Sequence, residues 1–211
     1  MKQKCFGELK YLFLWFGSMG LFWLCEMFIP PEICQSVHIC LDNIIPFLEG
    51  FIFFYVLWYF LIAGSLVYFL FRSPDSFKRF LVYMTVCQLL AIAIFVLFPN
   101  KQDLRPEIMP RENAFSNLTG FIHSVDTNTN VCPSLHVAYS AALASVWCKE
   151  KISTVKKLLW ITLAILIILS TVFVKQHSAL DALVAIPVCI VAEIIAYPKK
   201  TLKFVIPSYF D

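Results

Sequence analysis

Long runs of apolar residues without a single charge constrain this chain more than any other feature of its sequence. Three runs, at positions 51–71, 80–98 and 158–174, contain no Asp, Glu, Lys or Arg. A helix needs about 20 apolar residues to cross the hydrocarbon core of a bilayer, and each run is close to that length. With 60% hydrophobic and 15% charged residues, a soluble domain of 211 residues could not bury its apolar surface. The sequence therefore predicts an all-α integral membrane protein.

Three weaker apolar runs raise the predicted number of spans to six. Each of them contains at least one ionisable side chain: 11–29 with Glu26, 131–148 with His136, and 179–197 with Asp181 and Glu193. Carboxylates inside a membrane are costly and often functional, so Glu26 is a candidate for substrate contact or for a hydrogen bond between helices. The chain has no internal repeat and no low-complexity tract, and residues 1–211 are predicted to form a single membrane domain.

The distribution of positive charge favours six spans with both termini in the cytoplasm. In that topology all but four of the 17 Lys and Arg residues face the cytoplasm, as the positive-inside rule expects. The four on the outer face are Lys101, Arg105, Arg111 and Lys175. The net charge of +3 therefore reflects membrane topology and is no argument for nucleic-acid binding.

The stretch "PSLH", from Pro133 to His136, stands where the fourth predicted span begins on the outer face. Proline suits the first turn of a helix, and the free N–H groups of a helix start bind anions such as phosphate. Ser134 can add a hydroxyl donor, and His136 can donate a proton from the same end. The alternative interpretation is an ordinary capped helix with a polar residue at the membrane interface.

A second histidine occurs in "KQHSALDA", between the fifth and sixth predicted spans. His177 and Asp181 are four residues apart, so on a helix their side chains lie on one face and can form a hydrogen bond. A carboxylate bound to one ring nitrogen fixes the tautomer and leaves the other nitrogen basic, which is the arrangement used in nucleophilic catalysis. No Cys or His cluster has the spacing of a zinc site, so no metal is expected.

The four outer cations lie on the same side of the membrane as the two histidines. Lys101, Arg105 and Arg111 belong to the long polar loop at 99–132, and Lys175 precedes His177 by two residues. They are candidate ligands for a phosphate. The alternative for each of them is solvation in an ordinary loop.

These motifs together resemble the type-2 phosphatidic acid phosphatase superfamily, whose pattern has three parts. The second part, Pro-Ser-Gly-His, is matched by "PSLH" with Leu135 in place of glycine. The third part is matched by Ser170, His177 and Asp181, but Thr171 replaces the family's arginine. In the first part, Lys101 and Arg105-Pro106 are three residues apart rather than the family's six.

The resemblance implies a six-span enzyme that acts on lipid phosphate esters without a metal or another cofactor. It implies that His177 attacks phosphorus, that Asp181 orients His177, and that His136 protonates the leaving group. Ser134 and the outer cations would bind the phosphate. The resemblance covers about residues 80–197, the expected catalytic core with the 99–132 loop. The Leu135 and Lys-Gln variants also resemble a branch related to inositolphosphoryl-ceramide synthases.

Three functions are compatible with these residues. The first is a lipid phosphatase that hydrolyses a lipid phosphate monoester or pyrophosphate through a phosphohistidine. The second is a transferase that passes a phosphoalcohol headgroup to a lipid hydroxyl. The third is a non-catalytic lipid-binding or transport protein that keeps an anion pocket. The favoured prediction is the phosphatase, in a plasma (inner) membrane, with its active site on the extracytoplasmic side.

Overall fold

The computed structural model describes residues 2–198, with side chains from position 7 onward. Within this range the chain is mostly helical. Its helices and two short strands are α1 (Lys2–Phe28), β1 (Gln35–Ser36), α2 (Cys40–Ile44), α3 (Ile52–Arg72), α4 (Pro74–Leu97), β2 (Asn100–Lys101), α5 (Ala114–Val125), α6 (Leu135–Lys149), α7 (Thr154–Phe173) and α8 (Ala179–Ala196). The fold is therefore the all-α bundle that the apolar runs predict.

Five helical segments of the described chain are long and apolar enough to cross a membrane. They are Gly7–Phe28, Glu49–Arg72, Pro74–Leu97, Thr154–Phe173 and Ala179–Ala196. The predicted span at 131–148 differs, because its helix α6 begins only at Leu135 and has 15 residues. At 1.5 Å per residue, α6 is about 22 Å long, shorter than the roughly 30 Å of a hydrocarbon core.

The outward faces of the bundle carry large apolar side chains that a soluble protein would bury. Phe60 on α3 is 70% exposed and Leu97 on α4 is 84% exposed. Contiguous apolar surface of this kind is stable when hydrocarbon rather than water surrounds it. The protein is therefore a multi-pass membrane protein.

Helix α4 lies at the centre of the bundle, where it packs against α1, α3, α6 and α8. Its buried face includes Phe80, Met84 and Cys87, which are fully enclosed. The short helix α6 is equally central and packs between α4, α7 and α8. Small residues on α6, including Ala138 and Ala142, are buried and let the neighbouring helices approach closely.

The two ends of the bundle differ in chemistry. At one end, the Lys78 ammonium lies 5.1 Å from the centre of the Tyr11 ring, and the Lys149 ammonium lies 4.1 Å from that of Tyr197. Arg79 on α4 joins the two pairs by donating to the Ala196 carbonyl at 2.9 Å, so the N-terminal parts of α1 and α4 lie with the ends of α6 and α8. The starts of α6 and α8, which carry the two histidines, therefore lie at the opposite end.

Two connecting segments are joined at the histidine end of the bundle. β1 pairs in parallel with β2, with Gln35 opposite Asn100. The Asn100 side chain is fully buried and donates to the Cys132 carbonyl at 2.9 Å. Its Oδ1 accepts from the N–H groups of Val131 and Cys132 at 3.0 and 2.8 Å. These bonds hold the chain just before Ser134 in a non-helical form, which explains the late start of α6.

Candidate active site

The start of α8 orients His177 through Asp181. The His177 Nδ1 lies 3.0 Å from Asp181 Oδ2, and both side chains are buried. The same carboxylate oxygen accepts from the Ser178 N–H at 3.0 Å, because Ser178 caps the helix and Asp181 completes a capping box. Since a carboxylate accepts hydrogen bonds, Nδ1 carries the ring proton and Nε2 is left with its lone pair.

A second carboxylate, Asp42 at the start of α2, supports this helix start from a distant part of the chain. Asp42 accepts from the Ser178 hydroxyl at 2.6 Å and from the Ala179 N–H at 2.8 Å. Carboxylates are stabilised at helix N-termini by the free N–H groups and the helix dipole. The position of His177 is therefore determined by contacts with a distant segment as well as by the start of α8, which follows it.

The start of α6 is joined to the start of α8 by the backbone. The Ser134 N–H donates to the Asp181 carbonyl at 3.1 Å. The Ser134 hydroxyl is fully buried and caps α6 by accepting from the Val137 N–H at 3.3 Å. Ser134 is therefore an ordinary helix cap, as the alternative interpretation of "PSLH" predicts. As the cap of α6 it also sets the position of His136, two residues later.

His136 is positioned by aromatic rings of α3. Its ring centroid lies 4.4 Å from that of Tyr55, at an interplanar angle of 25°, and 4.2 Å from that of Trp58. The Nε2 atom of His136 is buried and has no hydrogen-bond partner among residues 7–198. Stacking fixes the plane of the ring but leaves this nitrogen available to another group.

The two histidines, which come from different helices, lie next to each other. Their ring centroids are 5.8 Å apart and the ring planes are inclined at 58°. The two separate sequence motifs predict that the histidines converge, and in the structure their rings lie side by side. At this distance the two rings are in contact range, so one group bound beside them could contact both.

A polar network borders the histidines. The Asp126 Oδ2 accepts from the Tyr55 hydroxyl at 3.1 Å and from Gln176 Nε2 at 2.8 Å. Tyr55 stacks on His136 and Gln176 precedes His177, so Asp126 couples the surroundings of both rings. No local sequence pattern links these residues, because they come from three separate segments of the chain.

One cavity of about 590 Å³ contains both histidines in its lining. Its polar mouth includes Asp126, Asn130 and Gln176, and its remaining wall is largely apolar, from Trp58 and Ile62 to Leu12. The lining comes mainly from α1, α3, α6 and the loop residues 126–131, and α4 contributes Gln88. Among its described residues there is no lysine or arginine. The cavity thus joins a polar site at one end of the bundle to an apolar channel between helices.

The predicted phosphate ligand Arg105 is held by the backbone beside this cavity. Its guanidinium donates to the carbonyls of His123, Asp126 and Thr127 at 2.9, 3.0 and 2.7 Å. Burial lowers the pKa of Arg105, and the nearby Asp126 carboxylate opposes that effect. Arg105 therefore organises the loop that carries Asp126, while its Nε lies buried without a partner among the described residues.

The other three predicted cations are engaged away from the histidines. Lys175 Nζ donates to the carbonyls of Asp42 and Ile45 at 3.0 and 2.6 Å, and burial lowers the pKa of this ammonium group. Arg111 pairs with Glu49 at 2.6 Å. Lys101 is part of β2 and its backbone pairs with β1 and Thr129. The structure does not bring these three side chains to the cavity that the histidines share.

Glu26 contacts the 99–132 loop rather than another predicted span. One of its carboxylate oxygens accepts from Asn130 Nδ2 at 2.6 Å, and the other accepts from the Thr127 hydroxyl. Both partners line the mouth of the cavity. Glu26 therefore ties the end of α1 to the loop in front of α6.

Within the described residues, no group of three or more His, Cys, Asp or Glu side chains is arranged to hold a metal ion.

Comparison of the chain with protein-family models, with curated proteins and with solved structures finds no match. Evidence for the function therefore comes from the geometry of the site itself.

Proposed function

We propose that this protein is a membrane lipid phosphatase that works through a phosphohistidine on His177. The observation that carries the proposal is the pair of imidazoles 5.8 Å apart, one of them hydrogen-bonded to a buried carboxylate. A binding protein has no need of a nucleophile with an orienting group. The resemblance of "PSLH" and "HSALD" to the type-2 phosphatidic acid phosphatase pattern supports the same chemistry.

In the first step, His177 Nε2 attacks the phosphorus of the lipid phosphate. A phosphorus–nitrogen bond forms while the bond from phosphorus to the lipid oxygen breaks. His136 donates a proton to the departing oxygen, which leaves as a lipid alcohol. Asp181 keeps the Nδ1 proton of His177 in place and stabilises the positive charge that develops on the ring.

In the second step, a water molecule attacks the phosphohistidine. His136, which has lost its proton in the first step, accepts one from the water as its oxygen bonds to phosphorus. The phosphorus–nitrogen bond breaks, inorganic phosphate leaves, and both histidines return to their starting states. No electrons are transferred, and protons are balanced over the two steps.

The cavity supports a lipid as the substrate. Its polar mouth would hold the phosphate beside the histidines, and its apolar wall between α1 and α3 would hold an acyl chain. A cavity of about 590 Å³ is within the usual range for small-molecule sites. The headgroup and the chain of one molecule would thus occupy the two chemically different parts of one space.

For the topology, we propose that α6 completes six spans and that both termini lie in the cytoplasm. The lysines gathered at one end of the bundle support this orientation through the positive-inside rule. The residues 131–134 before α6 would cover the remaining depth on the outer side. The histidines would then face the extracytoplasmic side of a plasma membrane.

Headgroup transfer is the second candidate, and a specific observation favours it. The described lining of the cavity contains the Asp126 carboxylate and no cationic Lys or Arg side chain. A phosphodiester carries one negative charge, whereas a phosphate monoester carries up to two, so a diester needs less compensation. In this version a lipid hydroxyl replaces water in the second step.

Purified protein given a panel of lipid phosphates, pyrophosphates and phosphodiesters tests these candidates. The proposal predicts release of inorganic phosphate, inhibition by vanadate and unchanged activity in EDTA. Exchange of headgroups onto an added diacylglycerol or ceramide without phosphate release would establish the transferase instead. Binding without any reaction across the panel would contradict both enzymatic candidates.

A further inference from the structure

We propose that Gln88 selects lipid phosphates with a carbonyl group at the linkage between their chains and their backbone. Such lipids include ester-linked glycerolipids and amide-linked sphingoid lipids. Polyisoprenyl phosphates do not belong to this class, because they have no such carbonyl. The inference rests on the proposed function for the identity of the headgroup. It depends on a buried hydrogen-bond donor that nothing else in the described structure satisfies.

The orientation of the Gln88 amide follows from a chain of three side chains. Trp15 Nε1 can only donate, and it lies 3.1 Å from the Tyr139 hydroxyl oxygen. Tyr139 therefore accepts from Trp15 and gives its own proton to Gln88 Oε1, its other partner. The Gln88 amide oxygen is thereby identified, and the remaining end of the amide is the NH₂ group.

This NH₂ group is buried and lacks a partner. Gln88 has no solvent exposure, and its Nε2 has no hydrogen bond within residues 7–198. Gln88 lies on the central helix α4 and is also part of the cavity lining. An unpaired amide donor in an apolar interior is costly, and an acceptor on a bound molecule would remove that cost.

The distance from the phosphoryl site suits a linkage carbonyl. Tyr139, which bonds Gln88, follows His136 by three residues on α6, about 4.5 Å along the helix axis. Trp58 contacts both rings, with centroid distances of 4.2 Å to His136 and 6.0 Å to Tyr139. In a glycerophospholipid or a ceramide phosphate, only a few covalent bonds separate the phosphorus from the first carbonyl group.

The remaining cavity wall fits the chain beyond such a carbonyl. Past Gln88 the lining includes Leu12, Ile62, Leu66 and Val67, all of them aliphatic. A polyisoprenyl chain could occupy this wall as well, but it has no oxygen to accept from Gln88. The histidines and the apolar wall could bind either class of lipid. The Gln88 amide therefore favours lipids with a linkage carbonyl over polyisoprenyl phosphates.

Equilibrium binding to a His177→Ala protein tests the inference without turnover. Isothermal titration calorimetry in micelles would compare diacyl phosphatidic acid with its dialkyl ether analogue, which lacks the carbonyls. One neutral hydrogen bond corresponds to about fivefold in affinity, so the ester should bind about fivefold more tightly. Adding Gln88→Leu should bring the ester-to-ether ratio close to one. Both lipids are measured on the same sample, so a partly unfolded preparation does not alter the ratio.

Gln102→Leu is the matched control, because Gln102 is also fully buried but does not line the cavity. It should keep the fivefold preference for the ester. Equal affinity for ester and ether in the protein that retains Gln88, or a preference that survives Gln88→Leu, would overturn the inference. The His177→Ala protein could prefer the ester while the unsubstituted protein releases phosphate from no lipid. That outcome would contradict the proposed reaction while supporting the Gln88 contact.

Discussion

The starts of α6 and α8 each place a histidine beside the same space, but they do so by different physical means. His177, two residues before α8 begins, is positioned by polar contacts, with Asp181 on its Nδ1 and with Asp42 on the capping groups next to it. His136 on α6 is positioned by stacking on Tyr55 and Trp58, and its Nε2 has no partner within the described residues.

The difference suggests different tasks for the two rings. A carboxylate on Nδ1 fixes the tautomer of the neutral ring, so that the opposite nitrogen carries the lone pair that a nucleophile requires. Stacking holds the plane of a ring without fixing a proton on either nitrogen, which is compatible with the proton transfers proposed for His136. We therefore expect substitutions at α8 to affect the nucleophile and substitutions at α3 and α6 to affect proton transfer.

Removing either ring should have the largest effect. His177→Ala and His136→Ala should each lower kcat/KM for a lipid phosphate by about 10⁴-fold or more, since members of a catalytic unit are not individually dispensable. The measurement is phosphate release by protein whose folding is checked by thermal unfolding. His38→Ala is the control, because His38 is exposed and bonds Asn43. Full activity in the His177→Ala protein would reject the proposed nucleophile.

Asp181→Asn should have the next largest effect. An amide cannot stabilise the positive charge on His177 and can present a donor to Nδ1, which favours the wrong tautomer. By analogy with the orienting aspartate of a catalytic triad, kcat should fall by about 10²–10⁴-fold. Single-turnover kinetics should locate this loss in the formation of the phosphohistidine. A loss confined to its hydrolysis would contradict the comparison between the two helix starts.

Trp58→Leu should have a smaller effect, located on the α6 side. Without the indole, the His136 ring can tilt, and a misplacement of about 1 Å can cost up to about 10²-fold in rate. We expect kcat to fall by about 10- to 100-fold for a lipid with a poor leaving group. Trp23→Leu serves as the control because Trp23 is 61% exposed on α1. Equal effects of the two substitutions would show that the stacking has no catalytic role.

Lys175→Met should have the smallest effect on activity and a clear effect on stability. Lys175 Nζ donates to two carbonyls of the segment that carries Asp42, and both would lose their partner. The free energy of unfolding should decrease by about 2–4 kcal/mol. The KM for substrate should stay within about twofold, as measured by steady-state kinetics. A large rise in KM with unchanged stability would instead support Lys175 as a phosphate ligand.

Local contacts of the site are predictable from the sequence, whereas contacts between distant segments are not. The sequence predicts the hydrogen bond between His177 and Asp181 from a four-residue helical spacing. In the structure His177 lies just before the helix cap Ser178, and the capping box brings Asp181 to it, so the contact is local but has a different cause. Asp42 is different, because it is 136 positions away from Ser178 and no local pattern links the two. The same holds for Tyr55, which reaches His136 only because α3 packs on α6.

Charge alone is a poor guide to the ligands of a buried site. The few cations predicted on the outer face include Lys175 and Arg111, which are therefore predicted as phosphate ligands. In the fold, Lys175 binds carbonyls near Asp42, and Arg111 pairs with Glu49. Hydropathy likewise places the fourth span at 131–148, whereas the Asn100 side chain holds residues 131–132 outside the helix. Such competing partners become visible only when the tertiary structure is known.

The central claim is that His177 carries the phosphoryl group while His136 handles the protons. Incubation of the His136→Ala protein with p-nitrophenyl phosphate tests it most directly, because nitrophenolate leaves without needing a proton. The account predicts a burst of about one nitrophenolate per protein and an acid-labile phosphate on His177 by mass spectrometry, absent from the His177→Ala protein. Steady turnover with no phosphorylated histidine, or a phosphate on another residue, would contradict it.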